Sequence, residues 1–316
     1  MRQADRPLAM SLDARVKRGL TFVGLSALLV AILIAVDVAV LGVKNPLEAL
    51  SPHYYMALGD SLSFGYQPNL DFSAGFVDDL YNYTLRPAGA TGLVNDACAG
   101  ETTETMINGG CVARFAHHGS YTGAQLDAAL RFLNDPRHKG RVSPVTLEIG
   151  VNDVIKDWDP TTCSVGPSTE HDLATMDTNL TTVILPKLIA ALATPTGAST
   201  GDLHLLNYYN PYAQECADSV QFVHELNDHL AADAAQFRIP VVDVYNAFGG
   251  DNNTSANLCS LTWMCNAKFH DIHPSNKGYA VIAQAVEKTL GLPGTNPVSG
   301  PIAPPALPSS YMRRTA

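Results

Sequence analysis

A chain of 316 residues in which 30 acidic side chains outnumber 20 basic ones, for a formal net charge of −10 at pH 7, offers a poor surface to nucleic acid or anionic lipid. The imbalance grows once the N-terminus is set aside, because Arg2, Arg6, Arg15, Lys17 and Arg18 cluster there. The length exceeds what one compact domain needs, and both ends differ in composition from the middle.

The basic cluster precedes an apolar run over residues 19–43, interrupted by Asp37 near its far end. A bilayer takes about 20 apolar residues to cross. The charge bias predicts a cytoplasmic segment at 1–18 and a transmembrane signal-anchor at 19–43. A signal peptide is the other reading; the run is long for one and lacks a small-residue cleavage site. In both cases the rest is exported, either anchored with an extracytoplasmic catalytic domain or secreted. Residues 293–316 are rich in proline among Gly, Ser and Ala, the composition of an extended tail. A globular domain over 50–292 remains.

That domain holds all six cysteines: Cys98, Cys111, Cys163, Cys216, Cys259 and Cys265. No C-x-x-C pair occurs, which argues against a zinc ribbon or thioredoxin-like site. An even number in an exported chain predicts disulfides. Proximity in sequence pairs Cys98 with Cys111, Cys163 with Cys216 and Cys259 with Cys265.

Taken in order, Tyr54 to Leu58 is a short apolar run stopped by Gly59-Asp60-Ser61, a buried strand entering a tight turn. Ala74 to Leu85 has helical spacing, and Leu93-Val94 begins a second strand. A short helix is expected from Glu101 to Ile107, with Glu101 at its start, and another from Thr122 to Leu133. Val142 to Ile149 is a third strand, ending at Gly150-Val151-Asn152-Asp153. One long helix is expected from Glu170 to Leu192. Leu203 to Tyr208 and Pro240 to Val244 are strands four and five, separated by an amphipathic helix from Ala217 to Phe237. Asn276 to Leu290, N-capped by Ser275, closes the domain. Strands alternating with helices predict a doubly wound α/β domain, its parallel sheet covered on both faces.

Parallel strands put their C-terminal loops at one edge, so residues after successive strands can converge. Ser61, Gly100, Asn152 and, before the last helix, His273 all lie in such loops. A serine hydroxyl attacks a carbonyl at neutral pH when an imidazole takes its proton. The oxyanion then needs preorganised donors, available here from the Ser61 and Gly100 amides and the Asn152 side chain.

GDSLSFG at 59–65, the Gly100 of CAGETT, GVND at 150–153 and DIHP at 271–274 resemble, in order, the blocks of the SGNH (GDSL) hydrolases. The resemblance covers residues 54–290. It implies a flavodoxin-like three-layer α/β/α sandwich with five parallel strands. It also implies Ser61 as nucleophile, His273 as base, and Ser61, Gly100 and Asn152 as oxyanion donors. The cysteines make the chain most similar to the secreted, disulfide-containing esterases and lipases of that family. The G-x-S-x-G elbow of another serine-esterase fold is absent. The family usually places Asp three residues before the histidine, where this chain has His270; Asp271 is two before. Either Asp271 or the main-chain carbonyl of His270 is then the acceptor for the imidazole, with Asp271 favoured as the carboxylate nearest in sequence.

Several residues carry plainer expectations. Asp60 supports the nucleophile turn, Asp153 caps the segment after Asn152, and His117 and His118 are solvated. His270 and His273 lack the ligand spacing of a metal site. Tyr208, Tyr209, Tyr212 and Trp263 either line an acyl pocket or pack over the sheet edge. No cofactor is implied. The expected activity is hydrolysis, by a monomer, of a small-molecule, lipid or acylated-carbohydrate ester. A phospholipase, thioesterase or acyltransferase would use the same site, and a non-catalytic binding protein would not need to keep Ser61, Asn152 and His273 together.

Overall fold

A computed structural model describes residues 53–113, 118–119, 121–193 and 203–292. The expected segments 1–18, 19–43 and 293–316, and His117, lie outside the described residues. Among the described residues no helix is long and apolar enough to cross a membrane.

In chain order the elements are β1 (His53–Gly59), α1 (Ser61–Phe64), α2 (Phe76–Asp79) continuing as a π turn (Leu80–Leu85), β2 (Ala90–Asn95), α3 (Thr103–Asn108) and α4 (Gln125–Asn134). Then come β3 (Val142–Glu148), α5 (Val151–Val154), the short β4 (Trp158–Asp159) and β5 (Ser164–Val165), and α6 (Thr169–Asn179). A second π turn (Leu180–Ile184) leads to α7 (Leu185–Leu192), β6 (Leu203–Leu206), α8 (Ser219–Gln236), β7 (Val241–Val242) and α9 (Val244–Ala247). The chain closes with α10 (Ser255–Leu261), β8 (Thr262–Trp263), β9 (Asp271–Pro274) and α11 (Asn276–Thr289).

Five strands form one parallel sheet in the order β2-β1-β3-β6-β7. Tyr55, Met56, Ala57 and Leu58 are fully buried, as a strand covered on both faces requires. Met56 sits beside Val94 on one side and Val145 on the other, so β1 and β3 form the middle of the sheet. α11 packs with α2, α9 and α10, whereas α4 packs with α3 and α7. The result is the doubly wound, flavodoxin-like three-layer sandwich. Its strand order reverses between β1 and β3, and the loops leaving those two strands open the crevice where such sheets bind ligands.

Gly59 makes the first of these exits possible. Its φ is +131°, and a Cβ there would lie 1.8 Å from the Glu148 carbonyl oxygen on β3. Backbone would meet backbone, with no flexible side chain to give way. Gly59→Ala is therefore expected to cost at least about 4 kcal/mol. A thermal melt measures it, and a variant melting within a few degrees of the parent would contradict the close approach.

Three departures from the expected elements have local causes. The helix expected as one piece over 170–192 is α6, a π turn and α7, because Pro186 enters the first turn of α7. Proline lacks an N–H and crowds the preceding turn, and widening that turn relieves both. Strands four and five stop short of the expected bounds, at Leu206 and Val242. The segment before His273, expected as loop, pairs as β8 and β9, with Trp263 opposite Asp271.

The cysteines pair as Cys98–Cys111, Cys163–Cys216 and Cys259–Cys265. Each bridge lies in segments that follow the C-terminal end of a sheet strand.

Candidate active site

Ser61 is the first residue of α1, and N–H groups in a helix's first turn have no intrahelical acceptor. Asp60 caps the turn: its Oδ1 accepts the Leu62 N–H at 3.0 Å. Glu148, at the end of β3, accepts the Ser63 N–H on Oε2 at 3.3 Å. The Phe64 N–H goes to the Asp60 carbonyl at 2.9 Å. Among the described residues neither the Ser61 nor the Gly100 N–H has a backbone acceptor, which leaves both for a ligand.

The Ser61 hydroxyl lies 2.9 Å from His273 Nε2. On the other side of the ring, Nδ1 is 2.6 Å from Asp271 Oδ1. The same oxygen accepts the His273 backbone N–H at 2.9 Å. That second bond closes an Asx turn, which lets an aspartate two residues upstream reach the imidazole. The backbone at His270 turns at φ +43°, and its own ring bonds the Met264 carbonyl at 2.6 Å. Partial burial works to raise the Asp271 carboxyl, but the ring hydrogen bond, the histidine charge and the backbone N–H outweigh it and hold the group below its ordinary range. The Tyr209 hydroxyl fixes the next peptide by donating to Ile272 O at 2.5 Å.

Asn152 meets the Gly100 loop. Its Nδ2 donates to Glu101 O at 3.0 Å, and an amide NH₂ has a second hydrogen to offer. The loops are tied again next door, where Asp153 accepts the Thr103 N–H at 3.0 Å and the Thr103 hydroxyl at 2.5 Å. Asp153 is thus a bridge between loops and not the helix cap expected for it. Burial raises it to about 6, against the Thr103 hydrogen bonds.

Glu101 is likewise no helix start; Thr102 caps α3. The Glu101 side chain turns inward, 1% exposed, and accepts from Gln125 Nε2 at 2.9 Å. Burial pushes it up to about 7, against hydrogen bonds from Thr105 and Gln125. Gln125 also accepts the Gly59 N–H at 2.7 Å and donates to Gly59 O at 2.9 Å. One buried amide therefore joins the end of β1 to the Gly100 loop. Sequence reasoning missed Gln125 and Glu148. Glu148 left a signal, a charge within the apolar run of β3; Gln125 left none.

The tyrosines pack rather than line a pocket. Tyr208 is 4% exposed and donates to Asp60 Oδ2 at 3.1 Å. Tyr209 stacks on Phe248 at 4.1 Å, and Tyr212 lies against Trp158. The Trp263 indole N–H goes to Gln67 Oε1 at 3.2 Å. The rings at the mouth are others: Tyr66 lies 4.6 Å from the His273 ring, and Phe72 joins Tyr66 to Phe64. His118 is exposed yet held, its Nε2 2.8 Å from the Phe64 carbonyl. Val112, 79% exposed, covers Gly100; a Cβ on Gly100 would meet its Cγ2 at 3.0 Å. A separate cleft of about 680 Å³, between β2 and α4, includes Asp96, Tyr121 and Arg131 and none of Ser61, Asn152, Asp271 or His273.

A parallel α/β sandwich with a hydrogen-bonded serine, histidine and aspartate beside its switch point has the frame of a hydrolase. Residues 57–281 match the GDSL-like lipase/acylhydrolase family, and the chain belongs to it, a carboxylic ester hydrolase of the SGNH/GDSL type. Among solved structures it is similar to a putative GDSL-like lipase from Parabacteroides merdae, with TM-score 0.51 and 15% identity over 77% of this chain and 97% of that one. An acetylxylan esterase from Geobacillus stearothermophilus aligns with TM-score 0.49 and 17% identity over 77% of this chain and 96% of the other. The lipase Lip_vut3 from a goat rumen metagenome gives 0.48 and 19% over 75% and 97%. At these identities the likeness is one of fold. No curated protein matches the chain.

Proposed function

We infer that the protein is an exported serine esterase that works through an acyl-enzyme on Ser61. The observation that carries this reading is the unbroken line from Ser61 Oγ to His273 Nε2 and from Nδ1 to Asp271 Oδ1, at 2.9 and 2.6 Å. His273 Nε2 takes the hydroxyl proton as Oγ bonds to the ester carbonyl carbon. The carbonyl oxygen, now an oxyanion, accepts from the Ser61 and Gly100 N–H groups and the Asn152 amide. Nε2 returns the proton to the departing alkoxide, which leaves as the alcohol. Water then repeats the sequence: Nε2 takes its proton, the hydroxide attacks the acyl carbon, and the serine leaves with that proton restored. Asp271 holds the ring in the tautomer that keeps Nε2 free to accept.

The apolar side chains beside the site, Tyr66 against His273 and Val112 over Gly100, support an ester with an apolar acyl or alcohol portion. The three disulfides support an oxidising, extracytoplasmic location, with residues 19–43 as the segment that delivers the domain. The test uses p-nitrophenyl esters of increasing chain length together with a phosphonate ester. Turnover of the esters, with the phosphonate attached to Ser61 alone, is the expected result. A protein that neither turns over any ester nor takes up the phosphonate would overturn the reading.

A further inference from the structure

Glu148 takes no part in the reaction just described, yet it is fully buried beside it. Its Oε2 accepts the Ser63 N–H, while Oε1 is buried with no donor directed at it. Asp60, also fully buried, is its neighbour, the Asp60 backbone N–H donating to the Glu148 carbonyl at 3.0 Å. Asp60 Oδ1 accepts the Leu62 N–H at 3.0 Å and faces the Ser61 hydroxyl at 3.4 Å; Oδ2 accepts the Tyr208 hydroxyl at 3.1 Å. Two carboxylates sharing one dry site cannot both ionise. Donors gather on Asp60, and a Glu148 oxygen goes without one. The proton therefore belongs on Glu148 and the charge on Asp60.

We propose that Glu148 is a positioning residue for the nucleophile: its carboxylic O–H donates to Asp60 and holds a single charge beneath the first turn of α1. Glu148 and Asp60 together then occupy the Ser63 and Leu62 N–H groups, so the Ser61 N–H is the donor of that turn left for the oxyanion. The link to catalysis rests on the Ser61 reading above; the placement of the proton does not.

The surroundings agree. Burial first, then the adjacent Asp60 carboxylate, push Glu148 well above its ordinary value, against the hydrogen bond from the Ser63 N–H. Burial also raises Asp60, opposed by hydrogen bonds from Glu148, Leu62 and Tyr208 and by the charge of His273. The other groups facing the pair are Tyr209, Tyr279, Glu101 and Asp153. A folded acid raised in this way stabilises the protein fully below its unfolded value, and that stability is lost as pH climbs through the folded value. Acids elsewhere that burial raises, to about 7 for Asp78 and Asp233 and about 6 for Asp79 and Asp96, have ionised by pH 8.5 along with Glu101 and Asp153. Under the proposal the Asp60–Glu148 proton is still held at that pH.

The experiment compares the parent with Glu148→Gln, which keeps an N–H for Asp60 but cannot ionise, and with Glu148→Leu, which offers no donor. The parent should hold kcat up to the folded value of Glu148 and lose about tenfold per pH unit above it, with KM steady. Its folding constant should instead fall about tenfold per pH unit below that value, where the unfolded chain has already released the proton, and level off above it. Glu148→Gln should stay within about threefold of the parent kcat at pH 7 and lack both slopes, whereas Glu148→Leu should lose more than about tenfold in kcat. Infrared spectra of the parent alone at pH 8.5 should contain the carbonyl stretch of a protonated carboxylic acid, whether or not the variants fold. Absence of that band, or pH profiles that coincide in the parent and Glu148→Gln, would overturn the proposal. A parent that hydrolyses no ester and binds no phosphonate would overturn the Ser61 reading instead, and loss of the infrared band in Glu148→Gln would still locate the proton.

Discussion

Ester hydrolysis by Ser61→Ala should fall by about 10⁵-fold or more in kcat/KM, the scale on which removal of the nucleophile acts when serine and histidine work as a unit. The fold should survive. Ser61 contributes its hydroxyl to His273 at 2.9 Å and to Asp60 at 3.4 Å, while the turn itself is held by the Leu62, Ser63 and Phe64 N–H groups. Stability should change by less than about 1 kcal/mol, because hydroxyl loss at a partly exposed site strands no buried partner. A melting curve beside the rate separates the two effects. Activity within tenfold of the parent in a folded variant would place the chemistry elsewhere.

The second large effect concerns Asp271. Asp271→Ala removes the only acceptor seen for His273 Nδ1 among the described residues and opens the Asx turn, so kcat/KM should fall about 10⁴-fold, as for a triad that loses its tautomer control. Asp271→Asn should be milder. Both bonds from His273 end on the same oxygen, Oδ1, and an asparagine can leave its carbonyl oxygen there. Only the charge is then lost, worth about 10–100-fold for a charge-assisted hydrogen bond. An alanine variant that loses less than tenfold would move the task of holding the ring to the main chain at His270. The carboxyl titrates below its ordinary 3.8 in the folded protein. Its contribution to stability is accordingly present above that pH and disappears as pH falls through the folded value.

The sheet was legible wherever a short apolar run met a glycine, as at Gly59 and Gly150, because burial on both faces keeps most positions apolar. The site was legible through the same turns, since a parallel sheet delivers the residues after its strands to one edge. What could not be read were pairings between distant, short segments. Four residues, DIHP, carry no strand signal by themselves; β9 exists because Trp263 and Thr262 lie opposite it. Glu101 and Asp153 each looked like members of a helix's first turn, where acidic residues are common. Their buried partners, Gln125 and Thr103, come from other loops that local periodicity does not register. Pro186 was visible in the sequence, but a continuous helical pattern ran through it and hid the wider turn it imposes.

The three bridges all lie outside the strands of the sheet. The strands of the sheet are held by burial and backbone hydrogen bonds. Cys98–Cys111, Cys163–Cys216 and Cys259–Cys265 instead restrain loops, at Gly100, beyond Asn152 and just before β9. In a reducing cytosol such a chain could complete its scaffold and still hold its reacting groups loosely. Reduction is therefore expected to loosen the loops that carry the reacting groups before it unfolds the sheet.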